Sequence, residues 1–290
     1  MFEGVYTAIA TPFRDGALDE KALRGIVARQ IEAGVDGIVP CGSTGESATL
    51  SHDEHERVVE LTIEAVAGRV AVIAGTGSNN TAEAIHLTKH AKRAGADGAL
   101  LISPYYNKPT QAGIVAHYEA VARECALPLL VYNIPGRTMS NILPETLAQL
   151  AEIPHVVGVK EACGDIDQIA HVIARCSPEF AVLSGDDAMT LPLLAVGGGG
   201  VISTTSNVAP EEMCALVRAF QQGDVARARQ IHHRLLPLFD ALFCESNPIP
   251  LKSALAMMGL MDDEIRLPLL PLTRPGRERL NLVLKELGFL

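Results

Sequence analysis

No tryptophan occurs in the 290-residue chain, and aromatic residues of all kinds make up only 4% of it. With 48% apolar residues, the composition suits a helix-rich globular protein built on Ala, Leu, Val and Ile, as one large α/β domain or two smaller ones. No apolar run approaches the roughly 20 residues that cross a bilayer. The N-terminal MFEGVYTAIATPF has no basic region ahead of an apolar stretch and no small-residue cleavage site. A soluble, cytoplasmic protein with no membrane partner is therefore expected. Positive charge is scarce too: 24 Lys and Arg face 34 Asp and Glu, for a net charge of -10, and nowhere do cations form a block. Nucleic acid is thereby disfavoured as a partner, because phosphate backbones are bound by clustered cations. An acidic substrate would have to be gripped by a few local residues. The six cysteines are scattered without a CxxC pair, and the nine histidines include no HExxH, so neither a zinc or redox site nor a catalytic metal is expected.

What the chain does contain is a regular alternation of short β-rich runs with longer helical patterns, the signature of repeated βα units around a parallel sheet. Eight runs read as strands: 5–13, 37–42, 70–77, 98–104, 128–133, 156–162, 180–185 and 200–205. They are almost continuously apolar, as expected of strands covered on both faces. Between them, His52 to Gly68 places Val58, Val59, Thr62, Ala65 and Val66 on one stripe. In the pattern from Thr81, that residue is the expected cap and Gly95 the terminator. The phrases AGVDGI (33–38) and AGADGA (94–99) each join a helix end to a strand start, an internal echo of the βα unit. Eight such units close most economically into a (β/α)8 TIM barrel, expected over residues 1–222, with a C-terminal helical extension over 223–290. The Gly197-Gly198-Gly199-Gly200 run precedes strand eight and so reads as a tight helix-to-strand turn, not a phosphate cradle.

In such a barrel, chemistry belongs at the C-terminal ends of the strands. Lys160 falls there, at the end of the apolar run VVGVKEA. Burial disfavours an ammonium, so its amine is a candidate nucleophile for a carbonyl carbon. The plainer alternative is a strand-end lysine paired with Glu161 or another carboxylate. Of the seven lysines only Lys252, in PIPLKSALAM, has a comparably apolar setting. Its segment reads as an amphipathic helix with an outward polar face. On the same barrel face as Lys160 lie Ser43 and Thr44 after strand two, Tyr105 and Tyr106 after strand four, Tyr132 and Arg137 at the end of strand five, and Ser184-Gly185-Asp186-Asp187 after strand seven. Each has a dull reading alone; their convergence favours a catalytic Lys160.

The segments CGSTGES, SPYYNKPTQAG, VYNIPGRT, VVGVKEA, SGDDA and GVISTTSN occur in the order and spacing of the 4-hydroxy-tetrahydrodipicolinate synthase (dihydrodipicolinate synthase) family, and the resemblance covers essentially the whole chain. A broader group, which includes N-acetylneuraminate lyase, shares the barrel, the GxTGE turn and the lysine; Arg137 in YNIPGRT resembles the synthase in particular. The resemblance implies that Lys160 forms a Schiff base with pyruvate and that the derived enamine attacks L-aspartate 4-semialdehyde, without metal or organic cofactor. It implies Tyr132 as the central acid/base and Thr44 and Tyr106 as a relay, Tyr106 being delivered to a neighbouring subunit. It further implies Arg137 as the carboxylate clamp, and Ser43, Thr44, Gly185 and Ile202 as substrate contacts. Ser43 stands where many relatives have threonine, which retains the hydroxyl. Ser47, Ala48, His52, His55, Asn79, Glu83 and Tyr105 match the site at which feedback-inhibited members bind L-lysine, and a homotetramer of two tight dimers is implied. His52 and His55 also read as ordinary residues of a helix start. The competing readings are another pyruvate-dependent aldolase of the group, acting on a 2-keto-3-deoxy sugar acid or a sialic acid, and a non-catalytic sensor of a keto acid or lysine.

Overall fold

The computed structural model describes residues 2–290. Gly4–Ala8 (β1) leads into a small antiparallel hairpin of Phe13–Arg14 (β2) and Ala17–Leu18 (β3). Then follow Gly37–Val39 (β4), Ala71–Gly75 (β5), Gly98–Ile102 (β6), Leu129–Asn133 (β7), Val156–Glu161 (β8), Ala181–Ser184 (β9) and Gly200–Ser203 (β10). Apart from the hairpin, all are parallel and close into a barrel in the order β1-β10-β9-β8-β7-β6-β5-β4. The expected TIM barrel is thus present. Its first strand is shorter than the expected 5–13, because Pro12 cannot continue a ladder and Asp15 and Gly16, at φ of 54° and 80°, turn the chain into the hairpin. The helix Thr81–Ala94 also starts differently from expectation. Asn80, not Thr81, is its cap, accepting from the Ala82 N–H, and the Thr81 hydroxyl instead bonds His117 Nδ1 at 2.9 Å.

The internal echo has a physical basis. Asp36 Oδ2 accepts from the Val5 N–H and Asp97 Oδ2 from the Val72 N–H, each at 2.8 Å. In both repeats the aspartate before a strand satisfies an orphan donor at the start of its neighbour. The glycine run forms the helix-to-strand turn at the barrel's N-terminal end. A Cβ on Gly200, at the start of β10, would lie 2.0 Å from the Gly4 carbonyl oxygen, and one on Gly198 only 1.9 Å from Leu193 Cδ2.

Alternation along the strands divides the core into two layers. Tyr6, Ala8, Val39, Ile73, Leu100, Leu130, Tyr132, Leu183 and Ile202 fill the barrel interior. Leu129, Val131, Val156, Val159 and Val182 face outward onto helices Gln111–Cys125, Pro144–Ala151 and Ile166–Arg175. Beyond the eighth unit lie helices Val225–Leu242, Ile249–Met257 and Arg274–Leu287. Their Leu235, Leu238, Leu251, Leu255, Leu280 and Leu284 join Leu23 and Ile26 in a continuous apolar layer. Among the described residues no helix is long and apolar enough to cross a membrane.

Candidate active site

The direction of Lys160 depends on a slip in strand alternation. Val156 and Val159 both face outward, although they are three residues apart, while Val157 packs against the interior cluster. The β7–β8 register slips between them: Leu129 pairs with Val156 but Leu130 with Gly158. One extra residue in β8 reverses the facing of everything after it. Tyr132 and Lys160 then become Cα partners on the interior side. Without the slip, Lys160 would point at the helices. Glu161 faces the other way, where it accepts from Asn133 Nδ2 at 2.9 and 3.1 Å and from the Cys163 N–H at 2.9 Å. A Lys160–Glu161 pair is therefore excluded.

Lys160 is 6% exposed and its Nζ sits 4.2 Å from the centre of the Tyr132 ring. Burial pulls the amine's pKa down from 10.5 to about 8, against the opposing pull of the Asp187 carboxylate and with a smaller push from the Arg137 guanidinium. About a tenth of the amine is then neutral at pH 7. Gly185 makes room for it: a Cβ there would come within 3.0 Å of Lys160 Cε and 2.8 Å of Ala162 Cβ. Burial raises the Tyr132 phenol to about 12, with Arg137 and a hydrogen bond involving Ser43 acting in the opposite sense. Tyr132 thus stays protonated at neutral pH and is available as a proton donor.

Arg137 follows β7 in the short helix Pro135–Thr138 and donates from Nη2 to the Asn247 carbonyl at 2.9 Å. Thr44 Oγ1 accepts from Asn247 Nδ2 at 2.9 Å and lies 3.5 Å from Thr204 Oγ1. Ile202 is buried in the barrel interior on β10. Tyr106, by contrast, is 90% exposed at φ 71° and lies outside the cavity that Tyr132 and Arg137 line.

That cavity, about 510 Å³, is also lined by Ser47, Ala48, His52, His55, Glu83 and Tyr105. His52 Nε2 and Glu83 Oε1 are 2.8 Å apart, and the Ser78 hydroxyl also bonds Glu83. His55 is buried, its pKa lowered chiefly by desolvation, with Nε2 at 2.8 Å from the Gly75 carbonyl. Asn79 Nδ2 donates to the Tyr105 carbonyl at 3.0 Å.

Lys252 overturns its sequence reading. Instead of lying on an outward polar face, its ammonium is ion-paired with Glu46, both side chains 1% exposed, 4.2 Å from the Phe13 ring centre. Glu46, at φ 53° in the turn after Thr44, also accepts from the Arg266 N–H at 3.1 Å. A carboxylate supplied from the other end of the chain is what allows a charged lysine there, and no local pattern reveals it. Sequence reasoning placed Asp187 on this face, in the Ser184–Asp187 run, without giving it a partner, and passed over Asn247 and Thr204. Asp187 Oδ2 accepts from the Thr204 and Thr205 N–H groups and the Thr205 hydroxyl. Thr204 follows a strand on the catalytic face, as Asp187 does, and was detectable by that placement. Asn247 lies between two C-terminal helices and carried no such signal.

Among the described residues no group of three or more His, Cys, Asp or Glu side chains is placed to hold a metal ion. A partly neutral buried lysine at the mouth of a parallel barrel, over a protonated tyrosine and near an arginine, defines a Schiff-base-forming barrel enzyme. The chain belongs to the Dihydrodipicolinate synthetase family, whose model matches residues 1–287. It is 57% identical over 290 residues to 4-hydroxy-tetrahydrodipicolinate synthase of Syntrophus aciditrophicus, covering all of both chains. It is also similar to the chloride-inhibited dihydrodipicolinate synthase from Acinetobacter baumannii complexed with pyruvate, with a TM-score of 0.98 and 45% identity over the whole of both chains. A third relative is DHDPS from Cyanidioschyzon merolae with lysine bound, with a TM-score of 0.97, 43% identity, and coverage of 100% of this chain and 99% of that one.

Proposed function

We propose that this chain condenses pyruvate with L-aspartate 4-semialdehyde to 4-hydroxy-tetrahydrodipicolinate, in the cytoplasmic biosynthesis of diaminopimelate and lysine that the family resemblance implies. The observation that carries the reading is the Lys160 amine, buried over Tyr132 in a chain of this family. Neutral Lys160 adds to the ketone of pyruvate, and loss of one water leaves a protonated imine. That cation draws electrons as a methyl proton departs, giving an enamine; the Tyr132 ring face favours positive charge at the same point. The enamine carbon attacks the aldehyde, whose oxygen takes a proton from the Tyr132 phenol. The substrate's own amino group then displaces Lys160, closing the ring and restoring the free amine. One water is released per condensation, and the lysine itself serves as electron sink, so the scheme calls for no further cofactor.

Arg137 suits the semialdehyde carboxylate, since a guanidinium offers paired donors in one plane. Thr44 and Tyr106 complete the proton relay in this reading. Tyr106, exposed on its own chain, serves a second copy in this reading, within the homotetramer of two dimers that the family resemblance implies. The Ser47–Glu83 side of the cavity would take L-lysine as an inhibitor, with His52 and Glu83 facing its charged groups; unchanged turnover on adding L-lysine would remove that role.

The reading is tested by pairing pyruvate with aspartate semialdehyde or with sugar aldehydes, in wild type and Arg137→Ala. Turnover with the semialdehyde alone, lost in the variant while imine formation persists, is expected. Preference for a sugar aldehyde would instead make the chain another aldolase of the group.

A further inference from the structure

Asn247 reaches the site from the far end of the chain and touches two of its groups at once. Its Nδ2 donates to Thr44 Oγ1 at 2.9 Å, and its main-chain carbonyl accepts from Arg137 Nη2 at 2.9 Å. It is buried and lines the same cavity as Tyr132 and Arg137. It is also held firmly. The helix Ile249–Met257, which begins two residues later, carries Lys252, and Lys252 is ion-paired to Glu46, two residues beyond Thr44 in the same turn. The turn 42–46 is further tied by the Thr11 hydroxyl donating to the Gly45 carbonyl at 2.7 Å and by the Gly45 N–H donating to Gly42 at 3.0 Å. One C-terminal segment therefore makes paired contacts with one catalytic turn: amide to hydroxyl at Thr44, ammonium to carboxylate at Glu46.

A threonine hydroxyl has one proton to give and two lone pairs to receive with. When the Asn247 amide occupies a lone pair, the Thr44 proton must point elsewhere, towards Thr204 Oγ1 at 3.5 Å or into the site. The longer Thr204 contact leaves that proton weakly held.

We propose that Asn247 is a positioning residue that makes Thr44 a proton donor towards the reacting groups, setting the direction of the relay. The inference rests on the condensing activity proposed above. It assigns to the C-terminal segment a part in proton transfer, acting through Thr44, in addition to its part in packing.

A double-mutant cycle on turnover tests it, using Asn247→Ala alone and combined with Thr44→Val or Thr44→Ser, with Asn247→Leu as a variant of similar side-chain volume. Asn247→Ala is expected to slow condensation about 10- to 100-fold, less than the roughly 100- to 10,000-fold of a group that itself transfers the proton, while borohydride trapping of the pyruvate imine changes less than threefold. In the Thr44→Ser background, where a hydroxyl remains, the same penalty is expected; in the Thr44→Val background the added loss should vanish. Asn247→Leu should behave as Asn247→Ala. Equal losses in both backgrounds, or parallel losses of trapping and turnover that track the unfolding midpoint, would overturn the inference and leave Asn247 a structural residue. A wild type that traps pyruvate and condenses it, with multiplicative losses in the cycle, overturns this inference alone. A wild type that does neither overturns the functional reading and this inference with it.

Discussion

Lys252 and Glu46 form an ion pair in which each side chain is 1% exposed, 206 residues apart in sequence. Lys160, also buried, has no such contact and lies over a tyrosine ring. The two buried lysines differ in what faces them. Desolvation lowers both pKa values, but Lys252 is opposed by a carboxylate in direct contact.

Breaking the Lys252–Glu46 pair from one side strands a buried charge, which costs about 3–5 kcal/mol. Glu46→Gln and Lys252→Met should each lower unfolding stability by that order in urea denaturation, and the double variant should recover part of the loss. A loss below about 1 kcal/mol, typical of exposed pairs, would mean the pair is solvated in solution.

The depressed pKa of Lys160 makes two linked predictions. Imine formation with pyruvate should speed up as pH rises through about 8 and level off above it. Stability carries the corresponding sign. Between pH 8 and 10.5 the unfolded chain holds a proton at this lysine that the folded chain has lost, so stability rises with pH across that window. Below pH 8 both states are protonated and the full cost of burying the charge remains. Lys160→Met should therefore be more stable than wild type at pH 7, by up to about 3 kcal/mol, with the advantage fading towards pH 10.5. Equal stability of the two proteins at both pH values would refute the assignment.

At Gly185 the added methyl of Gly185→Ala would meet Ala162 Cβ at 2.8 Å and Lys160 Cε at 3.0 Å. Overpacking of this kind costs about 1–3 kcal/mol, but its main effect should be on the lysine's aim. Imine trapping should slow at least tenfold; a wild-type trapping rate would show that the lysine does not lie against this glycine.

How far the sequence could be read follows from the same residues. The barrel was legible because eight nearly continuous apolar runs, each followed by a helical stripe, admit few other closures, and the repeated aspartates at 36 and 97 mark equivalent junctions. Lys160 was legible as a lysine at the end of an apolar strand. Its direction was not, because the register slip between Leu129 and Leu130 depends on how β8 lies beside β7, which a continuous apolar run does not encode. The misreading of Lys252 and the omission of Asn247 share one cause. Both act through partners about 200 residues away, Glu46 and Thr44, on a turn that only the closed fold brings beside them.

The central claim is that the Lys160 amine is the group that bonds to pyruvate. Borohydride reduction in the presence of pyruvate, followed by peptide mass analysis, tests it most directly. A single pyruvyl-derived mass on the peptide containing Lys160, absent in Lys160→Ala, is the predicted result. Label on the peptide containing Lys252, or none on a protein that is turning over substrate, would contradict it.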